Sequence, residues 1–255
     1  MTALFDKLLF SHWRLLNEEA RAEREADGHR WDWRVVVAMV ICAVDLTIHE
    51  YYGHRDFFAV RFNQPDDSLG AFAWWSGVRA VGYFLIPFLS LLIMRQNPLD
   101  YGLSMRGFFK HAWIYGALFG AVFPVIIGAS YTQAFQNHYP FYKQAGRSWS
   151  EFWQWEAIYG AQFLTLEFFF RGYLLFMLRR AMGAYAIFVM IVPYCMIHYH
   201  KPIAEVLGAI GAGIILGTLA LRTRSIWFGV AIHISVALTM DIASLMHWGL
   251  FPPSR

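Results

Sequence analysis

The sequence predicts an all-α fold: a polytopic transmembrane helical bundle of about seven membrane helices with an N-terminal interfacial helix. Three observations carry this expectation. Of the 255 residues, 58% are hydrophobic and only 15% charged, whereas a soluble domain carries about 25% charged residues. Apolar runs of about 20 residues recur along the chain, the length that crosses a hydrocarbon core of about 30 Å at 1.5 Å per residue. Aromatic residues make up 18%, and Trp and Tyr favour the membrane–water interface.

Residues 1–32 form a polar segment rich in both charges, which predicts no cleavable signal peptide. Within it Phe5, Leu8, Leu9, Trp13 and Leu16 recur at helical spacing. That pattern fits a helix lying in the interface plane, and equally a soluble cap. The spans are expected at about 33–50, 71–94, 110–130, 153–178, 184–200, 203–221 and 226–248, within a single transmembrane domain over 33–250. Lys7, Arg14, Arg21, Arg24 and Arg30 precede the first span; Arg95, Arg106 and Lys110 follow the second; Arg179 and Arg180 the fourth; Arg222 and Arg224 the sixth. The opposite loops carry fewer cations. The positive-inside rule therefore predicts a cytoplasmic N-terminus and, with seven spans, an external C-terminus and an external 131–152 connection. The sequence pI near 8.9 reflects these scattered loop cations rather than a nucleic-acid-binding patch.

Cys42 and Cys195 fall within apolar segments and read as small buried side chains rather than a disulfide. Cys195 lies one turn before His198, so a Cys/His nucleophile pair is the rarer alternative. Gly208, Gly211, Gly213 and Gly217 punctuate the sixth span. Their spacing does not match a dinucleotide fingerprint, and small residues in this pattern let membrane helices approach closely.

Glu167 and Arg171 carry the strongest chemical signal. They lie one turn apart on one helix face inside an apolar run, and His198 and His233 sit in two further runs. An ionised side chain at membrane depth costs about 2.5–3.5 kcal/mol even on insertion scales, so such residues pair or work. Burial raises a carboxyl pKa and an adjacent Arg lowers it, which leaves Glu167 a candidate base for water. Imidazoles hold water or stabilise an oxyanion. A packing ion pair and two satisfied core histidines explain each feature singly; the set of three spans favours catalysis.

The order of these residues resembles the CPBP intramembrane proteases, the group of CAAX prenyl endopeptidases and bacteriocin-processing proteins. That family carries Glu-Glu-x-x-x-Arg, then aromatic-x-x-x-His, then His-x-x-x-Asn. Glu167 and Arg171, followed by Gly172, resemble the second Glu and the Arg; Tyr194 and His198 resemble the second motif, and His233 the third. Asp100-Tyr101-Gly102-Leu103 and the stretch Thr218–Trp227 are also similar, so the likeness covers about 98–245. Leu166 stands where the family has its first Glu, thought to activate water, and Ala237 where it has Asn. The resemblance thus implies Glu167 or His198 as base, or a site retained for binding. Asp241, two turns after His233, and Glu156, expected near the external interface, are lesser candidates.

His49-Glu50-Tyr51-Tyr52-Gly53-His54 looks like the zinc motif His-Glu-x-x-His, but Gly53 occupies the second ligand's place and i+5 points away. No metal or cofactor is expected. The expected function is an intramembrane, glutamate-dependent endopeptidase of a bacterial-type inner membrane. It would cut a membrane-proximal protein or lipidated peptide, with Glu167, Arg171, His198 and His233 as catalytic residues. The alternatives are a catalytically inactive binding or chaperone-like protein on the same fold, a proton-coupled carrier, and a haem or metal protein using His198, His200 and His233.

Overall fold

A computed structural model describes residues 10–28, 31–105 and 108–253, and these are helical without strands. The helices are α1 (Ser11–Ala26), α2 (Trp33–Tyr52), α3 (Arg55–Phe62), α4 (Leu69–Ile93), α5 (Phe108–Ser130), α6 (Gln133–His138), α7 (Trp149–Met182), α8 (Tyr185–Met196), α9 (Ile203–Thr223) and α10 (Trp227–His247). Both α4 and α7 contain an internal π-helical turn, Val81–Leu85 and Phe168–Leu174. Six helices are long and apolar enough to span a membrane: α2, α4, α5 from Ala112, α7, α9 and α10. The chain is accordingly an all-α polytopic bundle.

One expected span is shorter than its hydropathy suggests. Residues 184–200 give only the 12-residue α8, about 18 Å long against a core of about 30 Å. Beyond Met196 the chain turns: Tyr199 N–H bonds Met196 O at 3.1 Å, and His200 adopts φ 73°. Lys201 precedes Pro202, and a residue before proline disfavours helix. The external C-terminus inferred from seven spans no longer follows.

The described chain forms two compact units. In the first (Met1–Val44, Ile86–Arg106, Glu167–Ile226), α1 docks on the end of α7. Leu16 and Ala20 are its buried residues; Phe5, Leu8 and Leu9 lie outside the described residues. Arg179 bonds Glu19 at 2.9 Å and Glu23 at 3.1 Å, Arg24 Nη1 donates to Ala181 O at 2.9 Å, and Trp13 Nε1 donates to Thr218 Oγ1 at 3.0 Å. Burial pushes the Asp32 carboxyl up, but hydrogen bonds from Arg34 and Arg180 outweigh it and hold the group below its ordinary value. Glycines bring α8 and α9 together at two of the four punctuated positions. A Cβ at Gly213 would lie 2.8 Å from Ile191, and one at Gly217 3.2 Å from Met190; Gly208 and Gly211 face open space.

The stretch 100–103 packs against the middle of α7. Gly102 takes φ 86° and its carbonyl accepts from Ile226 N–H at 3.0 Å. A Cβ at Gly172 would lie 2.6 Å from Tyr101 O, a backbone atom that cannot swing away. Gly172→Ala should therefore destabilise the protein by about 1–3 kcal/mol, the usual cost of overpacking, read as a lowered thermal unfolding midpoint in detergent.

The second unit is Asp45–Leu85, Gly107–Leu166 and Trp227–Arg255. Here α5 packs along α10, with Tyr115 stacked on Phe228 at 3.9 Å. An aromatic core joins Phe72, Tyr142, Phe152, Trp155 and Tyr159 with Ala237 and Leu245. Ser68 caps the start of α4 by accepting from Ala71 N–H at 3.2 Å.

Candidate active site

Glu167 ends the α-helical part of α7, and the seven residues after it form the wider π-helical turn, all of them buried. Such turns insert one residue per turn and re-aim the side chains beyond them. Glu167 is 1% exposed and Arg171 0%, and Arg171 Nη1 donates to Glu167 Oε1 at 2.7 Å. The pair survives burial because each charge is the other's counterion. The Arg171 guanidinium carbon lies 3.9 Å from the centroid of the Tyr194 ring on α8, a cation–π contact. Its Nε and Nη2 have no hydrogen-bond partner. Buried donors left in this state are costly and mark a place where a ligand or water can bind.

Tyr194 extends the group to His198. Their ring centroids are 4.7 Å apart at 63°, and His198 Nδ1 is 2.8 Å from Tyr194 O. A carbonyl only accepts, so Nδ1 carries a proton and Nε2 is the basic nitrogen of the neutral ring. The first unit thus brings together Glu167, Arg171, Tyr194 and His198.

His233 belongs to the second unit. It stacks on Phe163 at 5.5 Å and 18°, with Nδ1 3.0 Å from Gly229 O. The two positions that depart from the expected pattern are apolar and packed: Leu166 is 7% exposed and Ala237 5%. Asp241 is fully buried and accepts from Trp155 Nε1 at 2.6 Å. Glu156 is half-buried and within hydrogen-bonding reach of Asp241.

Cys42 is buried and Cys195 half-buried, and neither forms a disulfide. In the zinc-like stretch, His49 turns inward to Asp45 at 3.6 Å while His54 pairs with Glu50 at 3.3 Å on the exposed side. Among the described residues no group of three or more His, Cys, Asp or Glu is placed to hold a metal ion. Sequence reasoning assigned no role to the Tyr194 ring under Arg171. Its signal was the aromatic four residues before His198. The π-helical turn has no residue signature.

Residues 148–239 match the family model described as Rce1-like, type II CAAX prenyl endopeptidase Rce1-like. That stretch contains Glu167, Arg171, Tyr194, His198 and His233. No curated protein and no solved structure matches the chain. The resemblance to the CPBP intramembrane proteases is therefore borne out over residues 148–239, and the chain is an integral membrane protein carrying a CAAX-protease-like segment.

Proposed function

We propose that this chain is an intramembrane, glutamate-dependent endopeptidase that hydrolyses a peptide bond in a lipid-linked or membrane-proximal substrate. The observation that carries it is the buried Glu167–Arg171 pair, with two guanidinium nitrogens left without partners, inside the segment that matches a peptidase family. Glu167 takes a proton from water. His198 holds the same water by accepting a hydrogen bond at Nε2, because its Nδ1 proton is committed to Tyr194 O. Arg171 fixes the carboxylate, and its remaining N–H groups suit the oxyanion of the tetrahedral intermediate. The orientation that goes with this reading has the N-terminus in the cytoplasm of a bacterial-type inner membrane.

A specific observation favours a second reading, a binding protein on the same fold: the packed apolar side chains of Leu166 and Ala237 where the family has Glu and Asn. One assay separates the two. Full-length protein in proteoliposomes is mixed with a farnesylated peptide carrying a free three-residue C-terminus, and with the same peptide lacking the lipid. A protease releases the C-terminal fragment, seen by mass spectrometry, and does so faster from the lipidated peptide. Lipid-dependent binding without release would establish the second reading.

A further inference from the structure

Asp45, His49 and Tyr83, all buried, form a polar cluster in the second unit with the half-buried Arg79, and none of the four is assigned to the Glu167 site. Asp45 and His49 are i and i+4 on α2, 2% and 5% exposed. Tyr83, fully buried, lies in the π-helical turn of α4, and its ring meets His49 edge-on at 4.3 Å. Arg79, on the same helix, lies over Trp75 at 4.3 Å and within electrostatic reach of Asp45 and Tyr83. His54, between α2 and α3 on the exposed side, is within electrostatic reach of His49, and Tyr159 on α7 within electrostatic reach of Arg79.

The hydrogen bonding of this cluster is incomplete. Neither Asp45 carboxyl oxygen has a donor, and His49 Nδ1 and Arg79 Nη1 have no partner. His49 Nε2 is 3.2 Å from Val78 O, so it carries a proton, and it stands 3.6 Å from Asp45 Oδ1. That gap is just beyond hydrogen-bond length and closes with a small ring rotation. Among the described residues Arg79 does not reach ion-pair distance of Asp45. The crowding is built in. A Cβ at Gly82 would lie 1.8 Å from Asp45 Oδ1 and 2.8 Å from His49 Nε2, so only glycine admits the carboxyl. A carboxylate without a donor at membrane depth is relieved by a proton, and π-helical turns recur at functional sites.

We propose that Asp45, His49, Arg79 and Tyr83 form an intramembrane proton-binding site, separate from Glu167, with Asp45 as the final acceptor and His49 as the relay. A proton delivered by hydronium binds the lone pair of His49 Nδ1 and releases water. The resulting imidazolium passes its Nε2 proton to Asp45 Oδ1. The net result is one proton bound as Asp45 carboxylic acid, with the ring neutral in its other tautomer. Arg79 places a positive charge within electrostatic reach of the Asp45 carboxyl without pairing with it. Tyr83 walls the ring in place.

The test is pH-difference infrared spectroscopy on the full-length protein in lipid nanodiscs, with aspartate carboxyls carrying carbon-13. The expected result is a carboxylic-acid C=O band that titrates with pH, shifts with the aspartate label, and is lost in Asp45→Asn. In His49→Gln the band persists with its midpoint moved by about one pH unit or more, a tenfold change in proton affinity. Glu167→Gln leaves it in place. If Asp45→Asn does not fold, Asp45→Glu replaces it, and the band must then lose its response to the aspartate label. A titrating band absent from the wild type, or retained with its aspartate response in Asp45→Asn or Asp45→Glu, overturns the proposal. So does a midpoint unmoved by His49→Gln.

Discussion

Glu167→Gln should lower the rate of substrate hydrolysis by about 10²–10⁴-fold, the contribution of a positioned general base, while the protein stays folded. Glutamine has the shape of glutamate, and its amide oxygen still accepts from Arg171 Nη1, now bonded to Glu167 Oε1 at 2.7 Å. The amide cannot take a proton from water. The Tyr194 ring 3.9 Å from the guanidinium continues to support the cation. Rates in proteoliposomes, with thermal unfolding of the same preparation, check both halves. A fall in rate matched by loss of fold would reveal a structural role; an unchanged rate in folded protein would pass the role of base to His198.

Arg171→Leu should have the largest effect on stability. It leaves the Glu167 carboxylate buried at 1% exposure with no counterion, and removing one partner of a buried pair costs about 3–5 kcal/mol. Glu167→Leu combined with Arg171→Leu should recover most of that loss, because replacing both charges by apolar groups of similar volume is often neutral. The two single variants and the double variant, compared by denaturant unfolding in one detergent, form a thermodynamic cycle. Additive losses would mean that the 2.7 Å contact contributes nothing to stability.

The long helices were legible because a membrane span must satisfy its own backbone over a fixed thickness, so hydropathy and length report it directly. The same reasoning overread 184–200. Hydropathy counts apolar residues and does not see that the backbone leaves the helix after Met196. The Glu167–Arg171 pair was legible because i and i+4 share a helix face, and the contact forms as expected. The π-helical turn that follows was not, since one extra residue per turn leaves no mark in the side-chain pattern. Asp241 was legible only as a lesser candidate two turns after His233; that it accepts from Trp155, 86 residues away, is something only the tertiary fold reveals. His49 was legible as a failed zinc ligand, but its contact with Tyr83 and the room left by Gly82 depend on how α2 meets α4.

Terminal-peptide proteomics on host membranes tests most directly whether Glu167 makes this chain a protease, using a deletion strain that expresses wild type or Glu167→Gln at matched abundance. New protein termini should appear with wild type alone, clustered in membrane-proximal or lipidated substrates. Identical sets of termini, with both proteins folded and equally abundant, would contradict it and leave the packed Leu166 and Ala237 as marks of a binding protein.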